Sequence, residues 1–213
     1  MVRIKLTISL VAVLLTGNAA LAQASFQEPA ASERFLREAP IVQHGPQDTR
    51  EEHAHLALLS DGRTTMTVLL QTLQPYRYRW FHSRDSIVYA AAAYRLDRLM
   101  RAGVAPCTVL RKINGQLASV TIWNSDREPD HTPRAILFRA LVGDAQGAFT
   151  SGFYASKTLG DLEGLADPDS AFLTALSGLN REQLNEELGD LLTRKEIRFL
   201  LARRDRILRR YGS

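Results

Sequence analysis

The sequence has few of the features that stabilise a fold covalently or mark a common hydrolase site. Cys107 is the only cysteine in 213 residues, so no disulfide can form within one chain. HExxH and GxSxG motifs are absent. These absences exclude a disulfide-rich scaffold and give no support to a zinc protease or a serine hydrolase, so stability must come from packing.

Residues 1–22 are typical of a secretory signal peptide. Arg3 and Lys5 form a positive start, an apolar run covers residues 6–15, and Ala-Leu-Ala at 20–22 predicts cleavage, with a second possible site at 22–24. A membrane anchor is the alternative, but this run is about half of the ~20 residues needed to span a bilayer. No cysteine follows the run closely, so lipid attachment there is excluded. We therefore expect export to the periplasm or the extracellular space, with no transmembrane segment after cleavage.

The charge balance excludes one class of partner. Lys and Arg total 27 against 23 Asp and Glu, a net charge of +4 that falls to +2 if Arg3 and Lys5 are removed with the leader. So small an excess does not indicate a nucleic-acid partner. The composition, 45% hydrophobic and 23% charged, is that of a globular protein.

The patterns of the first half predict a mobile leader and a small α+β lobe. Residues 23–50 show little periodicity apart from a short possible helix near 32–38. Residues 51–124 are predicted to form strand, strand, helix, strand, strand. Asp61-Gly62 turns the first hairpin and Asn114-Gly115 the second, and the helix begins near Ser86 and ends before Gly103.

Residues 125–213 are predicted to form a helical lobe. Helices are expected over 133–142 and 169–176, and two capping boxes then pair Asn180 with Gln183 and Thr193 with Glu196. Residues 161–190 hold eight acidic and one basic residue, whereas residues 193–211 hold eight basic and two acidic ones. Attraction between neighbouring helices and solvated faces would account for this division.

Several short strings resemble those of a known family. They are FLREA at 35–39, LSDGR at 59–63, AAYRLDRL at 92–99, Pro106 with Thr108-Val109, and LARRDRI at 201–207. Together they resemble a group of exported bacterial proteins with a kinase-like fold, related to the phosphatidylinositol 3-/4-kinase type and to secretory-pathway kinases. The resemblance covers residues 33–123 and 170–211. It implies an α+β, shortened kinase-like fold, with a small lobe of two β-hairpins plus one helix followed by a helical lobe, and ATP bound between them.

The residues that a kinase needs are largely missing. Phosphoryl transfer requires a lysine on the phosphates, a glutamate that orients it, and Asp and Asn side chains for the proton and the metal ions. Residues 23–111 contain no lysine, and arginines such as Arg63, Arg77 and Arg79 have a different geometry. The helix glutamate would fall near Ala90, and residues 125–179 contain no asparagine for the catalytic loop.

We therefore predict an exported non-catalytic kinase-like (pseudokinase) accessory or binding protein, with no catalytic residue and no cofactor. Its expected partner is a protein of unknown identity. The first alternative is a residual ATP-dependent kinase that binds ATP and Mg²⁺ through Asp144, Asp167 or Asp169. Asp167 and Asp169 are weak metal candidates, since Asp169 could equally cap a helix.

A second alternative concerns the basic C-terminus. Arg203, Arg204, Arg206, Arg209 and Arg210 could bind an anionic surface, which would make the chain a peripheral protein. They also suit the negative end of a helix, and a solvated basic face is the simpler explanation.

Histidines offer one further metal hypothesis. His53 and His55 lie two apart on a predicted strand, so they share a face and could bind zinc with His82 or His131. Without a supporting motif, exposed strand histidines are the favoured interpretation.

Overall fold

A computed structural model describes residues 28–47, 54–72, 86–124, 131–143, 165 and 168–212. The predicted signal peptide at 1–22 lies outside the described residues. The described residues divide into two compact units. The first, here called the sheet unit, runs to Thr72 and resumes over Cys107–Asn124, and the second, the helical unit, takes Leu73–Pro106 and the chain from Ser125 onward.

The sheet unit is built on five antiparallel strands. Their order in the sheet is β1-β2-β3-β5-β4, so β1 and β4 are the edges. The strands are β1 (Ile41–Gln47), β2 (Ala54–Ser60), β3 (Thr65–Thr72), β4 (Thr108–Ile113) and β5 (Gln116–Ile122). The two predicted hairpins, β2–β3 and β4–β5, are confirmed.

Both hairpin turns depend on residues with positive φ. Asn114 and Gly115 have φ values of +51° and +81°, the pair of left-handed residues that a type I′ turn requires. Gly62 has φ +87°, and the Asp61 carboxylate beside it accepts hydrogen bonds from the backbone N–H groups of Arg63 and Thr64 at 2.9 and 2.8 Å. Local chemistry therefore sets both turns.

The predicted mobile leader is wrong within residues 29–47, whereas the short helix expected near 32–38 is present. Helix α1 (Pro29–Glu38) is followed directly by β1, which pairs with β2. Phe35 and Leu36 are buried, and α1 packs against β4 and β5. This segment contains only a few apolar residues, which is too weak a pattern to predict its packing from the sequence. The segment is stabilised when these residues pack against the sheet.

One face of the sheet and one face of α1 form the core of the sheet unit. Alternation along the strands places every second side chain on this face. The buried members are Phe35, Leu36, Ala39, Ala57, Leu59, Val68, Leu70, Val109 and Val120.

Arg111 on β4 links the sheet to the end of α1. Its Nη1 donates to the carbonyl oxygens of Leu36 at 3.0 Å and Ala39 at 2.8 Å. Carbonyl groups in the last turn of a helix have no partner within the helix, and the helix dipole makes that end negative. Burial removes water from the Arg111 guanidinium and lowers its pKa. The two carbonyl oxygens replace part of this lost hydration.

The described part of the helical unit contains five helices. They are α2 (Ser86–Met100), α3 (Pro133–Val142), α4 (Ser170–Gly178), α5 (Arg181–Leu188) and α6 (Arg194–Tyr211). Both predicted capping boxes are present, at Asn180 with Gln183 and at Thr193 with Glu196. The described residues thus form an α+β protein with six helices and one antiparallel sheet, which confirms the α+β class.

The structure divides the chain differently from the predicted lobes at 51–124 and 125–213. Helix α2 belongs to the helical unit, where it packs against α5 and α4. Arg95 of α2 donates to the Asp190 carboxylate at 2.7 Å and to the Glu187 carbonyl at 3.2 Å, both at the end of α5. The helix of the sheet unit is α1 instead. An amphipathic pattern shows that α2 has a buried face but does not say which elements bury it.

Asp97 on α2 is charged, yet it is only 5% exposed. Its carboxylate accepts from the backbone N–H groups of Gly103, Val104 and Ala105 at 3.1, 2.7 and 3.0 Å. These three charge-assisted hydrogen bonds compensate for burial of the carboxylate. Asp97 thus holds the chain in its turn out of α2.

We predict that Arg111→Met lowers the free energy of unfolding by about 1–3 kcal/mol, because the α1 carbonyls lose their donor. Urea denaturation followed by circular dichroism measures this change. Lys112→Met is the matched control, because Lys112 is exposed on the same strand. Equal unfolding free energies for the two variants would contradict the role given to Arg111.

Candidate functional site

A shallow cavity of about 560 Å³ lies in the helical unit, where the first turns of α3 and α4 meet the segment that follows α2. Asp169, one of the weak metal candidates, is in its wall. The other two carboxylates of the residual-kinase alternative, Asp144 and Asp167, lie outside the described residues. Asp169 is therefore the one member of that set whose surroundings are known.

Both carboxylate oxygens of Asp169 have structural partners. Oδ1 accepts from the backbone N–H of Phe172 at 2.8 Å and so caps α4, whereas Oδ2 accepts from Arg134 Nε at 2.7 Å. Arg134 also donates to the Ala102 carbonyl at 3.3 Å, close to the C-terminal end of α2. The hydrogen bond from Arg134, then that from Phe172, lowers the pKa of Asp169. This carboxylate joins α3 to α4, and Arg134 extends the link to the segment that follows α2.

The other metal hypothesis of the sequence concerned histidines. Within the described residues, no group of three or more His, Cys, Asp or Glu side chains is placed to bind one metal ion. His55 lies on β2, and its ring neighbours that of His44 on β1. His131 lies in the helical unit, and His53 and His82 lie outside the described residues.

Arg203 is not a surface residue, although the sequence places it among the exposed basic candidates. It is 4% exposed, and its Nε donates to the Leu141 carbonyl at 2.6 Å in the last turn of α3. Burial lowers the pKa of Arg203 to about 10. It faces inward because α6 has apolar neighbours at positions 200 and 207, three residues before it and four after it. Arg203 is therefore removed from the candidate binding set.

Arg204 also has structural partners. It is half-buried, and its guanidinium donates to the Leu179 carbonyl at the end of α4 and to the Asp205 carboxylate, at 2.5 Å from Nη2 and 2.8 Å from Nε. Of the five predicted arginines, only the remaining three are exposed. These are Arg206, Arg209 and Arg210.

Three further cations extend this exposed set toward the start of α6. Arg194, Lys195 and Arg198 are exposed as well. We call the six side chains the basic stripe: Arg194, Lys195, Arg198, Arg206, Arg209 and Arg210. At 1.5 Å of rise per residue, they extend over about 24 Å of helix. The spacing of the basic residues around the helix could have revealed the first three, because exposed positions recur with the helical period.

The two carboxylates of α6 do not neutralise the basic stripe. Glu196 accepts from the Tyr89 hydroxyl at 2.8 Å and from the Thr193 backbone N–H at 2.6 Å. Asp205 pairs with Arg204. None of the six cations has a carboxylate within ion-pair distance in the described part of the chain. The basic stripe therefore presents uncompensated positive charge.

The acidic helix α5 does not provide the expected neutralisation through ion pairs. At its C-terminal end, Asp190 pairs with Arg95 of α2, not with α6. Helices α5 and α6 pack together, but no ion pair joins them among the described residues.

Comparisons with known proteins add no further assignment. A scan against protein-family models finds no match, and comparisons with curated proteins and with solved structures find none either. Within the described residues, no helix has the length and apolar character needed to cross a membrane.

We predict that Asp169→Ala lowers the free energy of unfolding by about 1–2 kcal/mol, because α4 loses its cap and Arg134 its partner. Asp169→Asn should cost less, since an asparagine still caps a helix. Glu186→Gln, an exposed carboxylate of α5, is the control. Urea denaturation of the three variants gives the ranking, and an Asp169→Ala variant as stable as the control would contradict it.

The same residue predicts a pH dependence. Because the folded-state pKa of Asp169 is lowered, its ionised form stabilises the fold fully above the ordinary carboxyl pKa of about 4. This stabilisation is lost as the pH falls through the lowered pKa. The stability difference between the native chain and Asp169→Asn should therefore be present at neutral pH and shrink in acid, as measured by urea denaturation at a series of pH values. A difference that does not change with pH would contradict this role.

Proposed function

We propose that this chain is an exported, non-catalytic protein of kinase-like descent that attaches to anionic membrane surfaces through the basic stripe of α6. The proposal of kinase-like descent rests on the short sequence strings that resemble the kinase-like family. The proposal of export rests on the predicted signal peptide at 1–22. One observation carries the binding function: six exposed cations lie along one helix without a neutralising carboxylate among the described residues.

The mode of attachment follows from what the other face of α6 does. Ile197, Leu200 and Ile207 are buried within the helical unit. Since its apolar face is already used, α6 cannot insert into a bilayer as an amphipathic surface helix does. Attachment is then electrostatic, with about 1 kcal/mol for each Lys or Arg close to an anionic lipid surface.

The absence of phosphoryl transfer is supported by Asp169 and by the sequence. One oxygen of Asp169 accepts from the N-terminus of α4 and the other from Arg134, so both oxygens have a structural role. Residues 23–111 hold no lysine to bind phosphates, and residues 125–179 hold no asparagine. Without these groups the charge that develops on a transferring phosphoryl group is not stabilised.

We predict that the purified chain sediments with phosphatidylglycerol vesicles but not with neutral phosphatidylcholine vesicles, and that salt releases it. Arg206→Gln, Arg209→Gln and Arg210→Gln combined should weaken binding by about 100-fold, because three surface charges are lost.

The matched control combines Arg63→Gln, Lys112→Gln and Arg181→Gln. It changes the net charge equally, and these exposed residues lie outside the basic stripe. We expect it to bind nearly as the native chain does. Equal weakening in the two triple variants would show that net charge alone acts, and unweakened binding by the stripe variant would exclude the proposed surface.

A separate experiment tests the loss of catalysis. We predict that ATP with Mg²⁺ leaves the melting temperature unchanged, since a ligand raises it only by binding the folded state. Differential scanning fluorimetry measures this. A rise of several degrees that Asp169→Asn abolishes would instead favour the residual kinase.

A further inference from the structure

Two histidine rings meet at the edge of the sheet unit. His44 lies on the edge strand β1 and His55 on its neighbour β2. His44 Nδ1 and His55 Nε2 are 3.2 Å apart, and the ring planes are tilted by 37°. His44 is exposed and His55 half-buried, so the pair lies at the surface of the sheet unit.

A β-bulge brings the rings together. The β1–β2 register shifts between His44 and Gln47, so His44 faces Ala57 while His55 faces Gln47. Gly45 sits inside this irregularity. A Cβ there would lie 3.0 Å from the Leu56 carbonyl oxygen, closer than most Cβ atoms approach another atom. A residue with a side chain would therefore require a shift of the backbone at this position. Bulges redirect side chains and are frequent beside functional sites.

The separation of the two nitrogens matches a metal site. In tetrahedral zinc coordination with Zn–N bonds of about 2.0–2.1 Å, two ligand nitrogens lie about 3.3 Å apart. We propose that His44 Nδ1 and His55 Nε2 bind a divalent first-row transition metal ion, represented here by zinc. Imidazole is a preferred ligand for these ions.

The surroundings suit this assignment. The pairing of β1 with β2 places the two backbones side by side before binding, which reduces the entropy lost when the metal binds. Burial and then the charge of His44 lower the pKa of His55, and a neutral ring is the form that ligates a metal. Exposure of His44 leaves the remaining coordination positions open to water or to an outside ligand, as in open zinc sites.

The sequence could not single out this pair. His53 and His55 share a face by their spacing, but His44 and His55 are eleven residues apart and meet only through strand pairing. The proposal concerns the sheet unit and does not rest on the membrane-binding function proposed for the helical unit.

Zinc chloride added to the purified chain tests the site. At about 100 µM, zinc should raise the melting temperature by about 3 °C or more if it binds the folded state, and a chelator should reverse the rise. The double variant His44→Ala with His55→Ala should show no rise. His131→Ala, which removes an exposed histidine of the helical unit, should respond as the native chain does.

Nuclear magnetic resonance of the native chain avoids any effect of substitution on folding. Ring signals of His44 and His55 should shift together during a zinc titration. A plain hydrogen bond between the rings predicts no response to zinc. The proposal is overturned if the native chain does not respond, if only other histidines shift, or if the folded double variant responds equally.

Discussion

An arginine that donates to the carbonyl groups at the end of a helix is the interaction on which both units depend. Last-turn carbonyls have no partner within their helix and lie at the negative end of its dipole. A guanidinium offers five donors in a fixed fork, whereas an ammonium is a compact point charge. Accordingly, only four of the 27 basic residues are lysine. Helices α1, α3, α4 and α5 end in this way, in order, on Arg111, Arg203, Arg204 and Arg95, whereas Arg134 donates to Ala102, two residues beyond the end of α2.

This constraint separates the basic residues into two groups with different consequences. The arginines at helix ends hold elements together and are unavailable to a partner. The exposed basic residues of α6 differ from those expected from the sequence. Arg203 and Arg204 are not among them. Arg194, Lys195 and Arg198, nearer the N-terminus of the helix, are added. The proposed membrane-binding surface therefore consists of the basic residues of α6 that do not hold helices together. It has charge but no apolar anchor, so its binding must respond to salt.

The two proposed sites have different physical origins. Along α6, charged side chains become a surface because the helical period repeats them on one side of a single element. His44 and His55 come from two different strands, and strand pairing with a bulge at Gly45 brings their rings together. The first type leaves a trace in the sequence, and the basic run at 193–211 was recognisable. The second leaves none.

Local sequence is enough to predict the hairpin turns at Asp61-Gly62 and Asn114-Gly115 and the caps of α5 and α6, because each depends on residues within about four positions of one another. The pairing of residues 41–47 with the sheet and the place of α2 among the helices depend instead on contacts between distant parts of the chain. The inward orientation of Arg203 depends on such contacts as well. An apolar stripe on a helix predicts that one face will be buried. It does not predict which element will cover that face, because this depends on contacts between residues distant in the sequence.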